Sequence, residues 1–131
     1  MQLKRLWPSI SWAIIILILV GFPGEYIPKV TTFWDWLSPD KFVHTIIFGV
    51  QAYLLLYGFN VQSMAGKTRG RYMIALFIIS VSFAALTEIL QIYVFIGRFG
   101  NLFDFLADVS GVIVGFVAYY LLNIKKNRAG N

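Results

Sequence analysis

The residues able to do chemistry in this chain are few and fall at helical spacings. Asp40 and His44 are four apart, with Lys41 between them, and Phe48 and Gln51 continue the same face. Glu88 and Gln91 are three apart, and Asp104 and Asp108 four apart, with Gly111 and Gly115 following. Steps of three and four return a side chain to one face of a helix. Three polar stripes therefore exist, and a bundle can bring them together. Together they offer one imidazole and several carboxylates. Burial and mutual repulsion push such groups to different proton affinities, as acid and base catalysis requires.

His44, Glu88, Asp104 and Asp108 are the acid/base candidates, with Glu88 or His44 as base. Arg98 and Lys41 could hold a phosphate, arginine through paired donors and lysine as a point charge, while Asp40 and Gln91 would orient a substrate. The chain has no cysteine, and Thr45 and Thr87 lack a recognised triad spacing, so direct acid/base or metal-assisted chemistry is favoured over a covalent nucleophile. One imidazole and several carboxylates also suit zinc, manganese or magnesium. His44, Glu88, Asp104 and Asp108 are the ligands such a divalent metal would take, although no paired-histidine motif is present. The plainer alternatives are charged anchors at the membrane interface for Asp40, Lys41 and Asp104, and structural pairing of Glu88 with Arg98 or His44.

The elements that carry these residues follow from composition. Of 131 residues, 59% are hydrophobic and 13% charged, with a net charge of +5. A soluble domain carries about 25% charged residues, so a soluble globular fold is excluded. Apolar runs at 6–22, 42–59, 72–96 and 102–124 predict an all-α, polytopic membrane protein, a bundle of four transmembrane helices in a single domain over 1–131. The first run follows Lys4 and Arg5 like a signal peptide, but no small-residue cleavage site follows, and an uncleaved span is expected.

Lysine and arginine near span ends are retained in the cytoplasm. Lys4, Arg5, Lys67, Arg69, Arg71, Lys125, Lys126 and Arg128 make eight of the eleven basic residues, all on one side of this topology. The six acids, with Lys29, Lys41 and Arg98, lie on the other. Both termini are therefore expected in the cytoplasm. Tyr26, Phe33, Trp34 and Trp36 would lie along the outer surface of the membrane. Glu88 lies about 25 Å from the cytoplasmic end of its helix at 1.5 Å per residue, and His44 and Asp108 lie one or two turns inside the outer end of theirs. The stripes should meet in the outer half of the bilayer, below Arg98. A carboxylate there costs about 2.5–3.5 kcal/mol, so these groups should face the bundle interior. Gly111 and Gly115 read as a close-packing face that lets the fourth helix approach.

Asp40-Lys41-x-x-His44, Glu88-x-x-Gln91, Arg98, Asp104-x-x-x-Asp108, Gly111 and Gly115 resemble, in order and spacing, the pattern of the VanZ-like proteins. Their founding member is associated with low-level resistance to the glycopeptide teicoplanin. Phe48 stands where the family commonly has tyrosine, and Asp108 where it commonly has asparagine. The resemblance implies four transmembrane helices, residence in the bacterial cytoplasmic (inner) membrane, and a link to antibiotic resistance or the cell envelope. It supplies no settled reaction.

Three readings remain open on sequence grounds. The chain is an enzyme acting at the outer leaflet on an envelope lipid or lipid-linked cell-wall precursor. Alternatively, it is a non-catalytic binding protein for an amphiphile head group or a lipophilic glycopeptide. Or the polar cluster only knits the helices together. A channel is disfavoured because the polar groups occupy one half of the membrane. Nucleic-acid binding is disfavoured because the basic residues are dispersed at membrane boundaries.

Overall fold

A computed structural model describes residues 3–21, 39–95 and 102–125. The first outer loop with Tyr26, Phe33, Trp34 and Trp36, the 97–101 connection with Arg98, Lys126 and Arg128, and the side chain of Asp40 lie outside the described residues. Among the described residues the α-helices are α1 (Trp7–Gly21), α2 (Pro39–Gly58), α3 (Gly66–Tyr93) and α4 (Leu102–Tyr119), the last continued by a wider π-helical segment, Tyr120–Lys125. No strand occurs among the described residues.

The distribution of polarity is the reverse of a soluble protein's. Ile14 and Ile18 of α1, Ile46 of α2, Ile74, Ile78 and Ile89 of α3, and Ile113 and Val117 of α4 are exposed, while Ser9, His44, Gln51, Ser80, Thr87, Glu88, Gln91 and Asp108 are buried. Water would not tolerate so continuous an apolar exterior, whereas lipid does. The α3 helix and the 102–123 segment are each long and apolar enough to cross a membrane. The α1 helix is apolar but has 15 residues. The 20-residue α2 carries Asp40, Lys41, His44 and Gln51, which dilute its apolar character. Two of the four expected spans, α3 and the 102–123 segment, are thus long and apolar enough to cross a membrane.

The third helix begins six residues before the apolar run expected at 72–96, so Lys67, Arg69 and Arg71 are helical rather than in a loop. Its 28 residues extend about 42 Å, more than a hydrocarbon core of about 30 Å. The surplus matches the basic first turns, which carry Lys67, Arg69 and Arg71. The other end closes at Tyr93, where Val94 and Phe95 both donate to the carbonyl of Leu90.

Helices in lipid gain little from hydrophobic burial and depend on close packing and interhelical hydrogen bonds. The closest association is between α2 and α4. A Cβ at Gly111 would run into the carbonyl of Thr45, and one at Gly115 into the carbonyl of Gly49. Gly49 reciprocates, since a Cβ there would lie 3.1 Å from the carbonyl oxygen of Gly111. Thr45 Oγ1 bridges the contact, donating to the carbonyls of Lys41 at 2.9 Å and Ala107 at 3.2 Å. The first helix is fastened by polar contacts. Trp12 Nε1 donates to the carbonyl of Ile47 at 2.9 Å, and Gln51 Nε2 to Ser9 Oγ at 3.1 Å. Below, Ile16, Val20, Phe48, Ala52, Ala84 and Val112 form one apolar cluster, and Leu56, Val61, Leu76 and Tyr119 a second toward the basic end.

Gly111→Ala and Gly115→Ala should each destabilise the folded protein by about 1–3 kcal/mol, because backbone must move to admit the methyl group. Gly70→Ala is the internal comparison, since a Cβ there meets nothing within 4 Å, and it should stabilise α3 by about 0.5–1 kcal/mol. Equilibrium unfolding in detergent measures both, and indifference of the two packing glycines would show that the α2–α4 contact is not close.

Candidate functional site

The close α2–α4 contact places the first turns of both helices side by side. His44 Nδ1 lies 2.8 Å from Asp108 Oδ1, and the two side chains are 6% and 0% exposed. Glu88 arrives from α3, with ligand-capable atoms of His44, Glu88 and Asp108 all within 4.8 Å of one another. Three residues far apart in sequence thus share a single buried volume. The contact is a hydrogen bond between a ring nitrogen and a carboxylate oxygen, and it fixes the orientation of the imidazole.

Lys41 and Asp104 stand one turn farther out on α2 and α4. Their charged atoms are 4.0 Å apart, with the side chains 24% and 13% exposed, so they form a rim to the buried cluster. Phe48 follows His44 along α2 and lies against Phe83, with ring centroids 5.8 Å apart. The site is therefore floored by apolar rings.

The polar stripes expected from sequence do turn inward, but not every member joins the cluster. His44, Glu88 and Asp108 converge, and Asp104 and Lys41 pair at the edge. Gln91 is buried elsewhere, donating to the carbonyl of Val20 at 3.4 Å, and Gln51 points to Ser9. Both amides tie α1 to the bundle. The Thr45 hydroxyl is spent on the carbonyls of Lys41 and Ala107, and that of Thr87 on the carbonyl of Ala84 at 2.7 Å, so neither is poised as a nucleophile. Arg98 and the side chain of Asp40 lie outside the described residues.

Sequence reasoning overlooked the contribution of α1. Ser9, Trp12, Ile16 and Val20 recur at steps of three and four, and this stripe faces the other helices. The periodicity was available, but isoleucine and leucine on every face of α1 conceal it. A second polar network at the opposite end was also missed. Tyr119 Oη donates to Gln62 Oε1 at 2.6 Å and accepts from the Gln62 backbone N–H at 3.0 Å, and Asn123 Nδ2 donates to Tyr53 Oη at 3.0 Å.

The chain matches the family model VanZ/LLP1 over residues 4–123, which covers all four helices. No curated protein and no solved structure matches it.

His44→Ala and Asp108→Ala should each destabilise, because each leaves a buried polar partner behind. The double variant should lose less than the sum of the two, with a coupling of about 1 kcal/mol or more. The same cycle on Lys41 and Asp104, which are partly solvated, should give about 0.5 kcal/mol or less. Unfolding in detergent measures both cycles, and additive losses at His44 and Asp108 would contradict the pairing.

Proposed function

The chain belongs to the VanZ/LLP1 family, and on that footing we propose a four-span inner-membrane protein, both termini cytoplasmic, whose functional centre is the cluster of His44, Asp108 and Glu88. The centre opens toward the extracytoplasmic leaflet and acts on an envelope lipid or lipid-linked cell-wall precursor. This accounts for the resistance link carried by VanZ-like character, because a change in an outer-leaflet precursor alters what a glycopeptide meets there.

The observation that carries this reading is the 2.8 Å contact of His44 Nδ1 with Asp108 Oδ1 in a buried site that Glu88 also reaches. A carboxylate on one ring nitrogen holds an imidazole in a single orientation and stabilises its protonated form, which suits the ring to proton exchange with a substrate. Glu88 provides a second proton-exchanging group. Lys41 and Arg98, at the outer rim in this topology, hold the anionic part of the amphiphile. Asp40 and Asp104 set the charge around them.

A second reading has its own support. One imidazole and two carboxylates with donor atoms inside 4.8 Å form a donor set of the kind that binds zinc or manganese. In that case His44, Glu88 and Asp108 would hold the ion, which would supply Lewis-acid chemistry at the same place. Purified protein should then retain about one divalent ion per chain, lost in Glu88→Gln, as elemental analysis would show.

Glu88→Gln keeps shape and removes ionisation, and His44→Ala removes the imidazole. Both should abolish teicoplanin resistance conferred by the expressed protein, with Glu88→Gln melting near the parent chain in detergent and His44→Ala, which also strands its buried partner Asp108, melting lower but still folded. Loss of resistance with head-group binding retained would support catalysis over simple capture. If both variants fold and still confer resistance, the cluster is structural.

A further inference from the structure

The basic end of the bundle contains a separate cavity of about 430 Å³, and Arg5 is one of its lining residues. Arg5 lies before α1, half-buried, with its guanidinium carbon 5.7 Å from the centroid of the Tyr57 ring. Cation–π attraction to a ring face uses none of a guanidinium's N–H donors, which remain for an oxyanion. Among the described residues no carboxylate pairs with Arg5, because Glu88, Asp104 and Asp108 all belong to the opposite end.

The local backbone explains why Arg5 stands there. Gly58 ends α2, and a Cβ on it would lie 2.8 Å from Leu6 Cδ2 and 3.0 Å from the Arg5 carbonyl oxygen. A Cβ there would require the N-terminal segment or the Leu6 side chain to shift, so glycine favours the close approach. The facing wall is a hydrogen-bonded turn. Asn60 adopts a left-handed conformation, its Nδ2 donates to Ser63 Oγ at 2.8 Å, and Ser63 Oγ donates to the Asn60 carbonyl at 2.8 Å. Arg69 Nε clamps the end of the turn by donating to the Met64 carbonyl at 2.6 Å. Phe59 and Tyr72, with ring centroids 6.2 Å apart, form the apolar side.

Cationic centre, hydroxyl and amide wall, and aromatic side are arranged at a membrane edge that also carries Lys4, Lys67 and Arg71. We infer that this cavity binds the phosphodiester head group of an anionic phospholipid from the leaflet at the basic end. The phosphate lies against Arg5 and the remaining Nδ2 hydrogen of Asn60, beside Ser63, and the glycerol and first methylenes lie along Phe59 and Tyr72. Surrounding lysines and arginines attract such lipids without selecting a pose, whereas the cavity supplies one. The inference depends on the membrane reading of the bundle and is independent of the chemistry at His44.

The test uses the full chain purified in a neutral detergent, titrated with dioleoylphosphatidylglycerol, dioleoylphosphatidylcholine or inorganic phosphate while its melting temperature is followed. Phosphatidylglycerol should raise the melting temperature in a saturable manner, and the other two should not. Arg5→Gln should weaken the apparent lipid affinity about tenfold or more, the worth of a charge-assisted hydrogen bond. Ser63→Glu puts a repelling carboxylate on an exposed wall residue and should weaken it similarly, which keeps the test informative if Arg5→Gln does not fold. Lys67→Gln, with the same loss of charge at an exposed position outside the walls, should change it by about twofold or less. Equal weakening by Lys67→Gln would reduce the effect to a diffuse field and overturn the inference, as would indifference to both wall variants. Protection by inorganic phosphate alone would assign the cavity to a free anion instead of a lipid.

Discussion

The approach of α2 to α4 is the constraint on which the remaining structure depends. Side chains normally keep two helix axes apart, but at Gly49, Gly111 and Gly115 the separation falls until backbone meets backbone. His44 lies one turn outward from Gly49 on α2, and Asp108 one turn outward from Gly111 on α4. Their side chains can reach 2.8 Å only because the turns behind them are in contact. In lipid, where burial of leucine against leucine gains almost nothing over leucine against acyl chains, such contact between small residues is what holds helices together.

The same constraint explains where the polar groups go. An ionisable side chain facing acyl chains is costly, and one facing a neighbouring helix finds a partner. The cluster of His44, Glu88 and Asp108 thus joins α2, α3 and α4, while the amides of Gln51 and Gln91 reach α1. The bundle is therefore apolar without, and its buried polar groups sit between helices among apolar layers. At the basic end a different arrangement prevails, with Arg5 over the Tyr57 ring and Tyr119 bonded to Gln62. The two ends are separated by apolar layers around Phe48 and Leu56. Among the described residues, acidic groups concentrate at one end and guanidinium groups at the other.

Much of this was legible before the structure. Spacings of three and four put Asp40, His44, Phe48 and Gln51 on one face, and Asp104, Asp108, Gly111 and Gly115 on another, because helical periodicity is a local property of the chain. The inward direction of those faces followed from the cost of charge in lipid. Gly111 and Gly115 could be read as a packing face, since two small residues four apart make a groove on any helix. Less legible were the partners. Gln91 belongs to the same stripe as Glu88, yet it bonds to the Val20 carbonyl. Nothing in the spacing distinguishes a side chain that joins the cluster from one that secures α1.

Sequence alone determined the helical periodicity, the apolar runs, the grouping of basic residues and the inward stripes. Each of these depends only on local geometry or on the affinity of a residue for lipid or water. Tertiary structure decided which residue meets which. The rotation and depth of one helix against another set whether Asp108 or Asp104 faces His44, and these are fixed by the glycine contacts with α2. Arg5 at the basic cavity is the same kind of outcome, because its position depends on the missing side chain at Gly58, more than fifty residues away.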